Sequence, residues 1–173
     1  LGYMQQKDLL LPWKSCLDNV ILPLTIGGYE KNKATEKALP YFDTFKLKGY
    51  EHSYPDEMSG GMRQRASLMR TFLSSEDILL LDEPFGAVDS ITRGNLQQWL
   101  IDVTGRLSLT IFMITHDIDE ALLMSDRIYI ISDKPAAIRD EIKIDMHKDE
   151  KKQRLFDNKF LEFKRRILDD LEN

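Results

Sequence analysis

The chain has a single cysteine, Cys16. One cysteine excludes an internal disulfide and a thiolate zinc cluster, and it suits a reducing compartment. Long apolar runs are missing too. The aliphatic stretches are a handful of residues each, far short of the roughly 20 that a spanning helix needs, and no signal-peptide pattern precedes the first strand-like residues. The expectation is a chain that crosses no membrane itself. Positive charge is not in excess: the formal net charge is -5. No bulk basic field is therefore available to hold nucleic acid or an anionic membrane, and the reading is of no nucleic-acid partner. Internal repeats and low-complexity tracts are absent. The glycines fall at 2, 27, 28, 49, 60, 61, 86, 94 and 105, and no two lie five apart. A loop that cradles phosphates needs glycines at that spacing followed by Lys and Ser/Thr, so that bare backbone N–H groups wrap the phosphates while the lysine adds a point charge. This sequence does not contain one.

What is present fits one domain with an ordinary core, or a piece of a somewhat larger one: 173 residues, 42% hydrophobic and 31% charged. The chain starts at Leu1 inside Leu1-Gly2-Tyr3-Met4, which reads as the end of a strand. Further chain upstream is expected.

The most informative stretch is Ile78-Leu79-Leu80-Leu81-Asp82-Glu83-Pro84. Four aliphatic residues and then two acids read as a buried parallel strand that delivers carboxylates to the lip of a sheet, where ligands of open α/β folds bind. One carboxylate there can hold a hard cation such as Mg²⁺, and the next can polarise an attacking water. A buried strand running into an acidic loop is the plainer alternative. Leu109 to Ile114 reads as a second buried strand with Thr115-His116-Asp117 as its lip. His116 is a candidate ligand-sensing donor or an ordinary hydrogen-bonded histidine. Ile128 to Ser132 reads as a third strand, and Asp140 to Asp145 as an edge strand with Ile142 and Ile144 alternating.

Helices fill the intervals. Ser15 can cap one carrying Leu17, Val20, Ile21 and Leu24, ended by Gly27-Gly28. A second carries Ala34, Ala38, Tyr41, Phe42 and Phe45, with Pro40 expected to kink or divide it. Ser59 falls at the N-cap of a helix whose apolar face is Met62, Ala66, Met69 and Phe72/Leu73. Two glycines after that cap leave N–H groups uncovered at the positive end of the helix dipole, which makes either an anion site or a purely local cap. A helix from about Ile91 to Arg106 buries Leu96, Trp99/Leu100, Val103 and Leu107. The Leu9-Leu10-Leu11-Pro12-Trp13 run reads as an interaction surface or a loop folded onto the core. Past His147 the composition turns to a charged linker, and Phe156, Phe160, Phe163 and Ile167 mark a C-terminal amphipathic helix expected to dock in cis.

In this order the parts resemble the nucleotide-binding subunit of an ATP-binding cassette (ABC) transporter, of the nitrate/sulfonate/taurine class of bacterial importers. Ser59-Gly60-Gly61-Met62-Arg63-Gln64-Arg65 resembles the family signature, with Met62 where most members have glutamine. Ile78 to Glu83 resembles the Walker B strand, Phe85 to Asp89 the D-loop, and His116 the switch histidine. Gln6 with Leu10-Leu11-Pro12-Trp13 resembles the Q-loop and its transporter-facing surface.

The resemblance implies an α/β fold, an incomplete P-loop NTPase core with a mostly parallel sheet and a small helical subdomain. Residues 1–145 would form a partial ATPase domain (helical subdomain about 9–74, catalytic core about 75–145), followed by the linker and helix of 146–173. It further implies ATP and Mg²⁺ as cofactors. Asp82 would hold Mg²⁺, Glu83 would orient and deprotonate the attacking water, Gln6 would complete the metal and water environment, and His116 would donate to the γ-phosphate. Ser59, Gly60, Gly61 and Met62 would bind the nucleotide of a second, identical subunit, and Asp89 would touch that partner. Leu10, Leu11, Pro12 and Trp13 would face a transmembrane permease on the cytoplasmic side, with an external solute-binding protein engaged indirectly. The missing phosphate loop is the one large departure, and a strand missing between the one ending near Thr115 and the one from Ile128 would leave a gap in the sheet. Such a chain is expected to be inactive alone, or to serve as a non-catalytic module that docks on the permease.

Overall fold

The computed structural model describes residues 1–75, 77–131, 137–145 and 158–172. The charged linker, Phe156 and Ser132 lie outside the described residues. Two compact units result, 1–114 and 115–173.

The first unit is built on a three-stranded parallel sheet. Strand β2 (Ile78–Asp82) lies between β1 (Gly2–Met4) and β3 (Thr110–Ile114), with Leu81 opposite Met4 and Met113, and Asp82 opposite Ile114. Alternation along a strand sends Gly2, Met4, Leu79 and Leu81 to one face and Tyr3, Leu80, Asp82, Phe112 and Ile114 to the other. Leu79 and Leu81 are fully buried, whereas Phe112 and Ile114 are 56% and 52% exposed. The expectation that β2 and β3 are buried throughout is therefore corrected. The apolar run serves one covered face, and on the other face nothing among the described residues buries Phe112 or Ile114.

Helices α1 (Cys16–Val20), α2 (Leu22–Ile26), α3 (Lys31–Ala38), α4 (Tyr41–Thr44), α5 (Gly60–Ser74) and α6 (Ser90–Leu107) complete this unit. Ser15 caps α1 by accepting from the Asp18 N–H at 3.1 Å. The single helix expected from Ser15 to Gly27 is in fact two, broken at Ile21, because Pro23 has no N–H to continue the ladder and sits in the first turn of α2. Pro40 divides α3 from α4 as expected. Phe42, Phe45 and Leu47 are buried, and the Phe45 ring meets Trp99 at 5.6 Å and Phe72 at 5.7 Å, which joins α4, α5 and α6. Buried Asn19 was not singled out from sequence. Its side chain takes the Leu11 N–H at 2.7 Å and donates to the carbonyls of Leu11, Lys14 and Ser15, so it fixes the loop that carries Trp13.

The second unit comprises α7 (Ile118–Met124), an antiparallel pair β4 (Arg127–Ile131) and β5 (Ile138–Lys143), and α8 (Asn158–Glu172). Strand β5 begins and ends two residues earlier than the spacing predicts. Leu122, Ile130, Ile142, Ile144, Phe160 and Ile167 form its core, with Phe163 packed against it. The C-terminal helix thus docks in cis through its phenylalanine and isoleucine face, as its periodicity implies. Among the described residues no helix is long and apolar enough to cross a membrane.

Candidate functional site

Asp82 ends β2, and Glu83 adopts a left-handed backbone with φ 43°. A residue with a Cβ rarely holds that conformation unless its surroundings impose it. Here the Glu83 N–H donates to the Ile114 carbonyl at 2.9 Å, and the Gly86 N–H donates to the Glu83 carbonyl at 3.1 Å. Pro84 follows, buried, and its carbonyl accepts the side-chain amide of Gln64 from α5. The Gln6 amide Nε2 donates to Glu83 Oε2 at 2.6 Å. Parallel pairing of β1 with β2 makes this possible, because both strands end at the same lip. Gly86 closes the group: a Cβ there would lie 3.5 Å from Glu83 Oε2 and 3.7 Å from Gln6 Nε2.

The structure adds Tyr3, which sequence reasoning missed. Its hydroxyl donates to Asp82 Oδ2 at 3.2 Å, and this hydrogen bond raises the Tyr3 hydroxyl above the usual phenol range. The signal was available: Tyr3 pairs with Leu80 in register, so it shares a face with Asp82 two residues on. Reading it required knowing that β1 and β2 are neighbours.

A second grouping forms where α5 and α6 begin. Ser59 caps α5, accepting from the Met62 N–H at 3.3 Å, and Met62 itself is half-buried. A Cβ on Gly61 would come within 2.9 Å of Thr92 Cγ2, and one on Gly60 within 3.9 Å of Val88 Cγ1. Gly61 therefore has a packing reason to be glycine, whatever binds at the helix end. Asp89 caps α6, accepting from the Ile91 and Thr92 N–H groups at 3.2 and 3.0 Å. Hydrogen bonds led by the Thr92 side chain hold its carboxyl below the usual range.

The segment after Gln6 is tied to α5. Arg63 Nε meets Asp8 Oδ2 at 3.2 Å, and Arg70 donates to the carbonyls of Asp8 and Leu9 at 2.6 and 2.8 Å. Trp13 is 71% exposed and Leu9 48%, while Leu10 is 8% exposed. Leu10 was expected on the outward surface, and it is turned inward instead; Leu11 is half-buried and Pro12 is exposed. His116 belongs to the second unit, directly before Asp117, which caps α7 by accepting from the Glu120 N–H at 3.0 Å. Gln6, Asp82, Glu83 and Gly86 are thus brought together. Ser59 to Gly61 are brought to Val88 and Thr92.

The oxygen donors of Asp82 and Gln6 suit a hard cation that keeps most of its water. Among the described residues no three His, Cys, Asp or Glu gather as a protein-only metal cage. The set fits Mg²⁺ held by one carboxylate together with phosphate oxygens and water, and the glycine spacing supplies no phosphate cradle opposite it.

Residues 1–86 match the ABC transporter family. The formylaminopyrimidine import ATP-binding protein ThiZ of Halalkalibacterium halodurans is 50% identical over 135 residues, covering 78% of this chain and 54% of that protein. The taurine import ATP-binding protein TauB of Rhizobium johnstonii is 40% identical over 137 residues, covering 79% of this chain and 52% of that protein. The chain spans about half the length of these relatives. A solved dimeric structure of a bacterial ABC transporter cassette superposes with a TM-score of 0.67 at 28% identity, covering 85% of this chain and 64% of that one. Strand, signature helix and acid lip occur here in one order and one geometry, and the chain belongs to the ABC transporter family.

Proposed function

We propose that the chain is part of the ATP-hydrolysing subunit of an ABC importer, working as a dimer beneath a transmembrane permease on the cytoplasmic face of the membrane. The observation that carries this reading is the Gln6–Glu83 hydrogen bond at 2.6 Å beside Asp82, at the end of a parallel strand. Magnesium, when bound, neutralises phosphate charge during phosphoryl transfer. Asp82 and Gln6 are the residues that would hold it. Glu83 orients the attacking water and takes its proton, and Gln6 keeps that carboxylate pointed at the site. His116 donates to the γ-phosphate. Ser59, Gly60, Gly61 and Met62 serve the nucleotide of the second subunit at the N-terminus of α5, and Asp89 contacts that subunit. Leu11, Pro12 and Trp13, with exposed Leu9, supply the apolar surface for the permease.

The solute class is a small anion such as nitrate, sulfonate or taurine, as the motif set implies. A second reading, a formylaminopyrimidine, is favoured by the 50% identity to a protein so named. The chain lacks a phosphate loop, and we expect it not to turn over ATP by itself. The alternative is a non-catalytic module that docks on the permease.

The test is Mg²⁺-dependent ATP hydrolysis by the assembled transporter, compared with Glu83→Gln. A general base is worth roughly 10²–10⁴-fold, so a loss of that size is expected and unchanged turnover refutes the role given to Glu83. Titration of the chain alone with ATP checks the phosphate-loop argument: no saturation at micromolar nucleotide is expected. Micromolar binding contradicts it.

A further inference from the structure

We infer that Gln64 is a positioning residue for the acid lip: its side-chain amide grips the Pro84 carbonyl and so holds Glu83 in its left-handed backbone conformation. Gln64 is a buried polar residue, 5% exposed, in the second turn of α5 on the stripe shared with Gly61, Ser67, Leu68 and Thr71. Helix periodicity gives no reason for an amide there, and its neighbours Leu68, Leu81, Phe85, Leu96 and Trp99 are apolar. A buried amide is costly unless it is hydrogen-bonded. Its Nε2 donates to the carbonyl of Pro84, the residue directly after Glu83.

That carbonyl needs a donor. Pro84 is buried, and Glu83 at φ 43° has turned the chain out of the strand, so the β-ladder no longer supplies one. The conformation at Glu83 is unfavourable for a residue with a Cβ and persists only where several bonds over-determine it. Three other bonds converge on the same residue: its N–H to Ile114 at 2.9 Å, its carbonyl from Gly86 at 3.1 Å and its carboxylate from Gln6 at 2.6 Å. Gln64 supplies a further restraint, from outside the loop. It also sits on α5, the helix that Ser59 caps and whose first residues are given above to the nucleotide of the second subunit. The helix that offers N–H groups to a nucleotide therefore also fixes the carboxylate of the acid lip. This inference rests on the reading of Glu83 as the base only for its catalytic consequence, and not for its geometry.

The test is amide hydrogen exchange of the chain, with global stability measured by urea unfolding. In Gln64→Met the Gly86 and Glu83 amides exchange at least tenfold faster than the change in global stability accounts for, while the Leu100 and Val103 amides follow that change. Replacing Glu83 by glycine removes the Cβ that opposes the left-handed conformation. In the double variant Gln64→Met/Glu83→Gly, Gly86 protection returns to within about threefold of wild type. Equal acceleration at every amide, or unchanged protection at Gly86, overturns the inference. A wild-type measurement covers the case in which Gln64→Met does not fold. The Gln64 side-chain amide protons should exchange at least tenfold more slowly than those of exposed Gln5, and equal rates overturn it. In the assembled ATPase, Gln64→Met lowers kcat at least tenfold with KM for ATP unchanged. Unchanged kcat in Gln64→Met alongside a loss in Glu83→Gln overturns the positioning role, whereas unchanged kcat in both overturns the reading of Glu83 itself.

Discussion

Replacing Gly61 with alanine separates two reasons why a glycine stands at the start of α5. The added Cβ would lie 2.9 Å from Thr92 Cγ2, inside the distance at which carbon atoms repel. Thr92 is β-branched and lies in the first turn of α6, where its rotamer is restricted, so its methyl group cannot swing aside freely. Overpacking of this kind costs roughly 1–3 kcal/mol. Alanine recovers up to about 1 kcal/mol of helix propensity, less in the first turn than in the interior. The net expectation is a loss of about 1–2 kcal/mol, or roughly 2–8 °C in Tm for a chain of this size. Thr92→Ser removes the opposing methyl and keeps the hydroxyl that serves Asp89. In the double variant the alanine should then be neutral or stabilising, a coupling energy of about 1–2 kcal/mol between the two sites. Differential scanning calorimetry of the four proteins is the assay. A Gly61→Ala protein at least as stable as wild type refutes the packing account, as does a Thr92→Ser background that leaves the alanine's cost unchanged.

Other consequences can be checked on the same material. Cys16 is fully buried, and burial pushes its thiol up to about 12. The thiol stays neutral in the folded chain while the unfolded thiol ionises near pH 8.5–9, so stability is intact below that range and falls as pH rises toward 12. Urea unfolding at pH 10 should show a loss of about 1–2 kcal/mol relative to pH 8 that Cys16→Val does not show, and native Cys16 should resist alkylation. Asp89 behaves oppositely: with its carboxyl held low, its contribution is present above the unfolded value and disappears as pH falls through the folded one. Asp89→Asn should flatten the acid limb of the stability profile as pH falls below the usual carboxylate range. Trp13→Ala should leave Tm within about 1 °C, since the side chain is 71% exposed, and should abolish co-purification with the permease. Retained co-purification counts against the docking surface proposed for Pro12 and Trp13.

The sequence by itself determined the elements and the order of the chemistry. A run of four aliphatic residues closed by two acids and a proline specifies a strand and its lip because backbone sterics and burial act locally. Ser15 and Ser59 cap helices as their local patterns imply, and the structure adds Asp89 and Asp117 as caps, each accepting an N–H two or three residues on. The periodicity of Phe160, Phe163 and Ile167 gave the last helix an apolar face expected to dock in cis, and the structure shows the core it joins. Pro23 was legible but overlooked, since its effect is also local. Tertiary structure decided what lies opposite what. Whether β2 is covered on one face or both depends on which helices reach it, and no periodicity records that. Leu10 and Trp13 look equally apolar in sequence, but Asn19, Arg63 and Arg70 hold their loop so that one is inside and the other out. Tyr3 reaches Asp82, and Gln64 reaches Pro84, across 79 and 20 residues of chain. Such contacts are set by strand order and helix packing, which are properties of the whole fold and are written at no single position.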